Sequence, residues 1–304
     1  MRLDEINNHL KSNATHICPA NISSLIDKSS KLCLFLDIDG TLAEFTVDPK
    51  KSYIPETTLS LIQAILNEGV NISMVTGRSL IEAQRMIAPL NIPIAATHGL
   101  EIDFANLLSG QVNLINDTAN HFQSLLPTID MTQLNHIKQT LESASQPFID
   151  LTIENKPYSC AIHYRQAPNL ADTAYNLIYK AIEPYPNWTI KQGKFVWEVV
   201  PKGVNKGTAI LTLFKAIQQN NYADNKPLTA IFIGDDETDE AGFSAINSLN
   251  DKDTYSAKHV KGIAIKVGNE STCAQYYVNN INEVTAVLQT LLLCLTQSKM
   301  SVEL

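Results

Sequence analysis

Leu32-Cys33-Leu34-Phe35-Leu36-Asp37-Ile38-Asp39-Gly40-Thr41-Leu42 is the stretch on which the fold turns. Its five leading apolar residues are too few for a soluble helix and read as a strand buried on both faces of a parallel sheet. Asp37 falls where that strand ends, with Asp39 two residues on. Gly40 and Thr41 turn the chain, so both carboxylates can emerge at the carboxyl edge, where open α/β sheets bind ligands. A carboxylate is a weak nucleophile and needs an electrophile whose charge is masked, as a divalent cation masks a phosphoryl group. The same residues also make an ordinary turn, since Asp and Gly are common there.

Outward from this strand, apolar runs alternate with amphipathic stretches. Pro55 suits a helix start, Leu59, Ile62, Ile65 and Leu66 give the helix an apolar face, and Gly69 suits its C′ position. Val70–Val75 reads as a second strand, ending in Thr76-Gly77-Arg78. Ser79 and Glu82 make a capping box for the next helix, which Pro89 terminates. Ile92–Ala96 is a third strand, followed by His98-Gly99-Leu100-Glu101-Ile102. This alternation predicts a doubly wound α/β core with a parallel, Rossmann-like sheet.

The pattern changes over residues 113–200. A helix (Leu134–Leu141) precedes strands at Phe148–Ile153 and Ser159–Tyr164, and a helix (Leu170–Ile182) precedes strands near Trp188–Ile190 and Phe195–Val199. This predicts a smaller α+β domain inserted between core segments 31–112 and 201–304. The core resumes with a helix carrying Ile210, Leu213, Phe214 and Ile217 on one face. A strand at Leu228–Ile233 follows, ending in Gly234-Asp235-Asp236-Glu237-Thr238-Asp239-Glu240, then a strand at Gly262–Val267 and a closing helix at Glu283–Leu293. Residues 1–30 read as an N-terminal appendage, with Leu3, Ile6 and Leu10 spaced for a short helix and Pro19 interrupting.

The 304 residues, 44% of them hydrophobic, suffice for one large or two ordinary cored domains. A net charge of −8 argues against a nucleic-acid partner. Five cysteines without a C-x-x-C pair, amid apolar neighbours, suggest reduced, buried thiols. Asp4 and Glu5 stand where a signal peptide would not carry them, and the apolar run Leu291–Leu295 is too short to span a membrane. A soluble cytoplasmic protein is expected, without membrane partners, a monomer being favoured. Neither a P-loop nor G-x-G-x-x-G is present, so nucleotide binding has no support.

Three strand ends thus carry polar residues: Asp37 with Asp39, Thr76, and Asp235. In a parallel sheet these ends share one edge, and Lys206 arrives on the loop returning from the insert. Each has an ordinary reading alone. Thr76 could serve its turn, Lys206 could be a solvated charge with Lys202 as rival, and Asp235, Asp236 and Asp239 could be acids favouring a helix N-terminus. Together they supply what phosphoryl transfer needs: a nucleophile, oxygen ligands suited to Mg²⁺, and donors for the equatorial oxygens.

The four elements resemble, in order over residues 37–239, the four signatures of the haloacid-dehalogenase-like phosphotransferases. That resemblance implies that Asp37 attacks phosphorus to form an aspartyl-phosphate, and that Asp39 acts as acid and then as base. It implies that Thr76 and Lys206 hold phosphoryl oxygens, that Asp37, the Asp39 carbonyl and Asp235 bind Mg²⁺, and that Asp236 or Asp239 orients its waters. The insert resembles the α+β cap of sugar phosphatases. Thr152-Ile153-Glu154-Asn155-Lys156-Pro157-Tyr158-Ser159, Ile162-His163-Tyr164-Arg165 and Gly193-Lys194-Phe195-Val196-Trp197-Glu198-Val199-Val200-Pro201 narrow this further. With the Gly234–Glu240 run, they make residues 32–293 similar to the trehalose-6-phosphate phosphatase family. The implied activity is Mg²⁺-dependent hydrolysis of trehalose 6-phosphate to trehalose and phosphate, the last step of trehalose biosynthesis.

By the same resemblance Glu154, Lys156 and Glu198 contact the sugar, although a solvated strand face would carry such charges too. Arg78 either contacts substrate or braces its loop. His163 is read as structural, and Trp188 and Trp197 as core of the insert. A different sugar phosphate (of sucrose-phosphate or mannosyl-glycerate-phosphate type) or a catalytically silent sugar-phosphate sensor are the alternatives. Against silence stands the intact set Asp37, Asp39, Lys206 and Asp235.

Overall fold

The computed structural model describes residues 14–27, 29–46, 51–105, 129–193, 195–220, 226–251 and 260–300. The chain divides into two compact units, Met1–Phe122 with Asn205–Leu304, and Gln123–Val204.

The first unit is built on an eight-stranded sheet. In chain order its strands are β1 (Thr15–His16), β2 (Lys31–Leu36), β3 (Asn71–Val75), β4 (Ile94–Ala96) and β5 (Glu101–Asp103), then, after the second unit, β10 (Leu228–Gly234), β11 (Val260–Val267) and β12 (Tyr276–Val278). Their spatial order is β1-β12-β11-β10-β2-β3-β4-β5. Every pair is parallel except β4–β5. The doubly wound α/β class expected from the sequence is the one observed.

From β2 the chain moves to β3 and β4 on one side, and from β10 to β11 and β12 on the other. The crevice between the carboxyl ends of β2 and β10 is therefore the topological switch point, where sheets of this class bind ligands. β2 and β10 are buried on both faces because their side chains alternate between two apolar layers. Leu34, Leu36, Ile231 and Ile233 face one layer, and Cys33, Phe35, Ala230 and Phe232 the other. Helix α1 (Glu56–Asn67) adds Ile62 and Ile65 to the first layer, and α2 (Leu80–Ile87) adds Ala83, Met86 and Ile87. Ser79 and Glu82 form the expected capping box, and Gly69 takes its C′ position with φ +86.

In the second unit, α3 (Met131–Ser145) and α4 (Ala171–Ile182) cover one face of a four-stranded antiparallel sheet. Its strands are β6 (Thr152–Asn155), β7 (Cys160–His163), β8 (Trp188–Gly193) and β9 (Val196–Pro201), in the order β6-β7-β9-β8. Leu134, Ile137, Leu141, Ile178, Ile162, Val199 and Trp188 make its core. Glu154, Ala161, Glu198 and Lys191 lie in register across the strands, one residue off the core-facing Ile153, Ile162 and Trp197. The alternation of the pleat puts that row on the opposite face.

The first unit is completed by α5 (Lys206–Asn220), α6 (Glu240–Ser248) and α7 (Ile281–Met300). Ile210, Leu213, Phe214 and Ile217 of α5, with Phe243 and Ile246 of α6, fill the second layer.

Several expectations need correction. Residues 1–30 are not wholly an appendage, because Thr15–His16 adds an edge strand beside Tyr276–Val278. Pro19 opens a 3-10 turn, Pro19–Leu25, whose Ile22 joins the core. Phe148–Leu151 makes a turn (Phe148 N–H to Ser145 O, Leu151 N–H to Phe148 O), so the strand starts only at Thr152. Of the five free cysteines, Cys33 and Cys160 are buried, Cys273 and Cys294 half-buried, and Cys18 exposed. The helix expected around Leu3, Ile6 and Leu10 lies outside the described residues, as does the first boundary of the insert near residue 113. Among the described residues, no helix is long and apolar enough to cross a membrane.

Candidate active site

Asp37 follows the last residue of β2, and its N–H donates to Ile233 O at 3.0 Å on the adjacent β10. The carboxyl ends of the two strands are thereby tied together, and Asp235 follows β10 as Asp37 follows β2. Lys206 opens α5 and is 2% exposed, so the solvated-charge reading of it fails. Its Nζ donates to Asp37 Oδ1 at 2.9 Å and Asp239 Oδ1 at 2.8 Å, and lies 3.9 Å from Asp236 Oδ1. The rival Lys202 is exposed.

The acids divide their work by position. Asp239, fully buried, accepts the N–H groups of Asp235 and Asp236 on Oδ2 at 3.0 and 3.1 Å. Asp236 caps the following turn, accepting from Thr238 and Asp239 N–H, and its side chain is half-exposed. Asp37, Asp235 and Asp239 each offer a carboxylate oxygen, all within 4.8 Å of one another. Asp235 Oδ1 is buried and has no hydrogen-bond partner among the described residues.

Two glycines make room for this cluster. Gly40 has φ +78, and a Cβ there would overlap the Asp235 carboxyl. At Gly234 a Cβ would press on the Asp239 carboxylate.

Burial and like charges leave their mark on the titration of the group. Burial pushes Asp37 well above the usual carboxylate range; Lys206 opposes the shift, and the neighbouring acids add to it. Burial, with Asp239 and Asp236 beside it, raises Asp235 to about 8. Burial likewise raises Asp239 to about 6 against the pull of Lys206. Burial alone would depress Lys206, but the charges of Asp239, Asp37 and Asp236 outweigh it and hold the ammonium well above its ordinary value. Such an array of buried acids is costly until a cation neutralises it.

Thr76 is buried at the end of β3, its N–H bonded to Ala95 O at 2.8 Å, and its Oγ1 accepts Arg78 N–H at 3.2 Å. Arg78 forms a two-pronged pair with Asp39, Nε to Oδ2 at 2.6 Å and Nη2 to Oδ1 at 2.5 Å. The pair ties Arg78, on the loop after β3, to Asp39.

Two features had no role in the sequence reading. Thr97 and His98 both adopt left-handed backbone (φ 48 and 56), and their N–H groups donate to Arg78 O and Thr76 O at 2.8 and 2.9 Å. The His98 ring covers Gly77 so closely that a Cβ there would lie 2.6 Å from it. Strained non-glycine residues of this kind, costing roughly 1–3 kcal/mol each, gather at functional sites. Lys266, 5% exposed at the end of β11, donates to the main-chain carbonyl of Asp235. A lysine closing the apolar run Gly262-Ile263-Ala264-Ile265 is the signal that could have found it.

In the second unit, Glu198 is buried and accepts from Lys156 Nζ at 3.0 Å and Ser159 Oγ at 2.7 Å. Glu154 pairs with His163 at 2.8 Å, and that hydrogen bond, ahead of burial opposing it, lowers the Glu154 carboxyl. His163 is thus a satisfied side chain, as expected. Trp188 and Trp197 belong to the core of this unit, donating to Gln133 Oε1 and Ala171 O.

A family model described as trehalose-phosphatase matches residues 35–282. A trehalose-6-phosphate phosphatase of Escherichia coli is 29% identical over 273 residues, covering 89% of this chain and 90% of that protein. A probable trehalose-phosphate phosphatase of Sinorhizobium fredii is 30% identical over 249 residues, covering 81% and 82%. Among solved structures, the C-terminal domain of the Candida albicans trehalose-6-phosphate phosphatase superposes with a TM-score of 0.70. That match covers 93% of this chain and 98% of that one, at 19% identity, and speaks for the fold alone.

Proposed function

The chain belongs to the trehalose-phosphatase family, and on that premise we propose that it hydrolyses trehalose 6-phosphate to trehalose and inorganic phosphate, with Asp37 as the nucleophile. The observation that carries the chemistry is the buried Asp37–Lys206–Asp239 chain beside the unpartnered Asp235 Oδ1, at the switch point of the sheet.

The donor set fits a hard divalent cation, since carboxylate and carbonyl oxygens are what Mg²⁺ selects. Asp37, Asp235 and the main-chain carbonyl of Asp39 would hold it, with Asp239 or Asp236 orienting its waters. When bound, it would mask the phosphoryl charge that otherwise repels Asp37.

Asp37 attacks phosphorus while the ester bond to O6 of trehalose breaks, and Asp39 delivers its proton to that departing oxygen. Asp39, now a carboxylate, takes a proton from water, which attacks the aspartyl-phosphate and frees both Asp37 and phosphate. Lys206 and Thr76 donate to the equatorial oxygens as charge spreads over them. Both Asp39 oxygens accept from Arg78, so one prong of that pair opens when Asp39 carries the proton it delivers, while the other keeps it oriented. Glu154, Lys156 and Glu198 bind sugar hydroxyls and give the enzyme its specificity.

Phosphate release from a panel of sugar phosphates, with and without chelator, tests this reading. Trehalose 6-phosphate should show the highest kcat/KM, and turnover should vanish when Mg²⁺ is removed. Equal rates across the panel would overturn the substrate, and full turnover in excess chelator would overturn the metal.

A further inference from the structure

Lys266 is buried beside the acids and takes no part in the chemistry proposed above. It lies in register with Gly234, one residue before Asp235, across the β10–β11 pair. Burying an ammonium is costly unless its partners offset the loss. Glu270 lies 4.0 Å from its Nζ but is 74% exposed, where solvent weakens such a pair. The partner Lys266 reaches in the interior is the carbonyl of Asp235.

That carbonyl belongs to the residue whose carboxyl Oδ1 is buried and without a partner among the described residues. The main chain of Asp235 is gripped at both ends: Asp239 Oδ2 takes its N–H at 3.0 Å, and Lys266 donates to its C=O. Gly40 leaves the carboxyl the room that a Cβ would fill. The side chain is aimed through its backbone, and its Oδ1 remains available for a ligand.

We propose that Lys266 is a positioning residue for the divalent-cation site, holding the Asp235 main chain so that its carboxyl faces Asp37 and Asp239. The inference rests on reading those acids as the metal site. It makes a counter-intuitive forecast, because an ammonium near a cation should weaken binding by repulsion, whereas a positioning contact should strengthen it. Outer contacts that orient metal ligands are commonly worth about 10–100-fold in affinity.

The test is calorimetric titration of Mg²⁺ into metal-stripped protein, without substrate, for wild type and Lys266→Met, which keeps length and apolar stem. Lys266→Met should bind Mg²⁺ at least about ten-fold more weakly than wild type. Unchanged or tighter binding would overturn the proposal, leaving Lys266 a structural or purely repulsive charge. Should Lys266→Met fail to melt cooperatively, Lys266→Gln is titrated and judged by the same criterion. A wild type that binds no Mg²⁺ would instead defeat the reading of the metal site itself.

Discussion

The Lys206 ammonium faces both Asp37 and Asp239 inside the protein. Breaking a buried pair commonly costs about 3–5 kcal/mol, since it strands the partner's charge. Lys206→Met should therefore lower the unfolding free energy by about that much at pH 8, measured in urea. At pH 5 the loss should be smaller, because the two acids can take up protons instead; equal losses at both pH values would count against this. The acids themselves predict a pH dependence. Asp235 and Asp239 titrate near 8 and 6 in the folded protein, above the ordinary 3.8. The folded state then binds more protons than the unfolded one between about pH 4 and 8. In chelator, Tm should fall as pH rises through that window, and Mg²⁺ should restore it more at pH 8 than at pH 5. Asp39→Asn should lower kcat by roughly 10²–10⁴-fold, the usual worth of a positioned acid/base.

At the scale of elements, the site is a set of strand ends, and this is why much of it was legible. Asp37, Thr76 and Asp235 each follow a buried strand, so the residues proposed for the chemistry also mark where such a strand stops. The capping box at Ser79 and the αL glycine at position 69 were legible because both are local in sequence. Ser79→Ala should cost about 0.5–2 kcal/mol in a urea melt. Gly40→Ala should cost both fold and Mg²⁺ affinity, because φ +78 strains an alanine and its Cβ meets the Asp235 carboxyl directly. Calorimetric titration alongside a melt would separate the two. What escaped notice depends on pairing across the sheet or on backbone geometry. Thr15–His16 is a strand only because Tyr276–Val278 pairs with it, and β5 is too short and too polar to announce itself. Nothing local in Thr97-His98 announces a left-handed backbone, and Lys266 acts through a carbonyl rather than through another side chain.

At the scale of the whole molecule, the chemistry and the proposed specificity reside in separate compact units, each with a core of its own. The residues proposed to handle the phosphoryl group, Asp37, Asp39, Thr76 and Lys206, would serve any phosphomonoester. On the proposed function, discrimination between sugars would fall to Glu154, Lys156 and Glu198, and losing one charged hydrogen-bond partner is worth roughly 1.5–3 kcal/mol, about ten- to over a hundred-fold in kcat/KM. Lys156→Ala and Glu198→Ala should each lose that much on trehalose 6-phosphate and little on a small aryl phosphate; equal losses on both substrates would assign them to folding. Fluorine NMR with beryllium fluoride, a mimic of the phosphoryl group, can show whether Asp37 is the carboxylate that accepts it. With Mg²⁺ present, wild type should show a protein-bound beryllofluoride signal that is absent from folded Asp37→Asn. The same signal in Asp37→Asn, or none in wild type, would contradict the account.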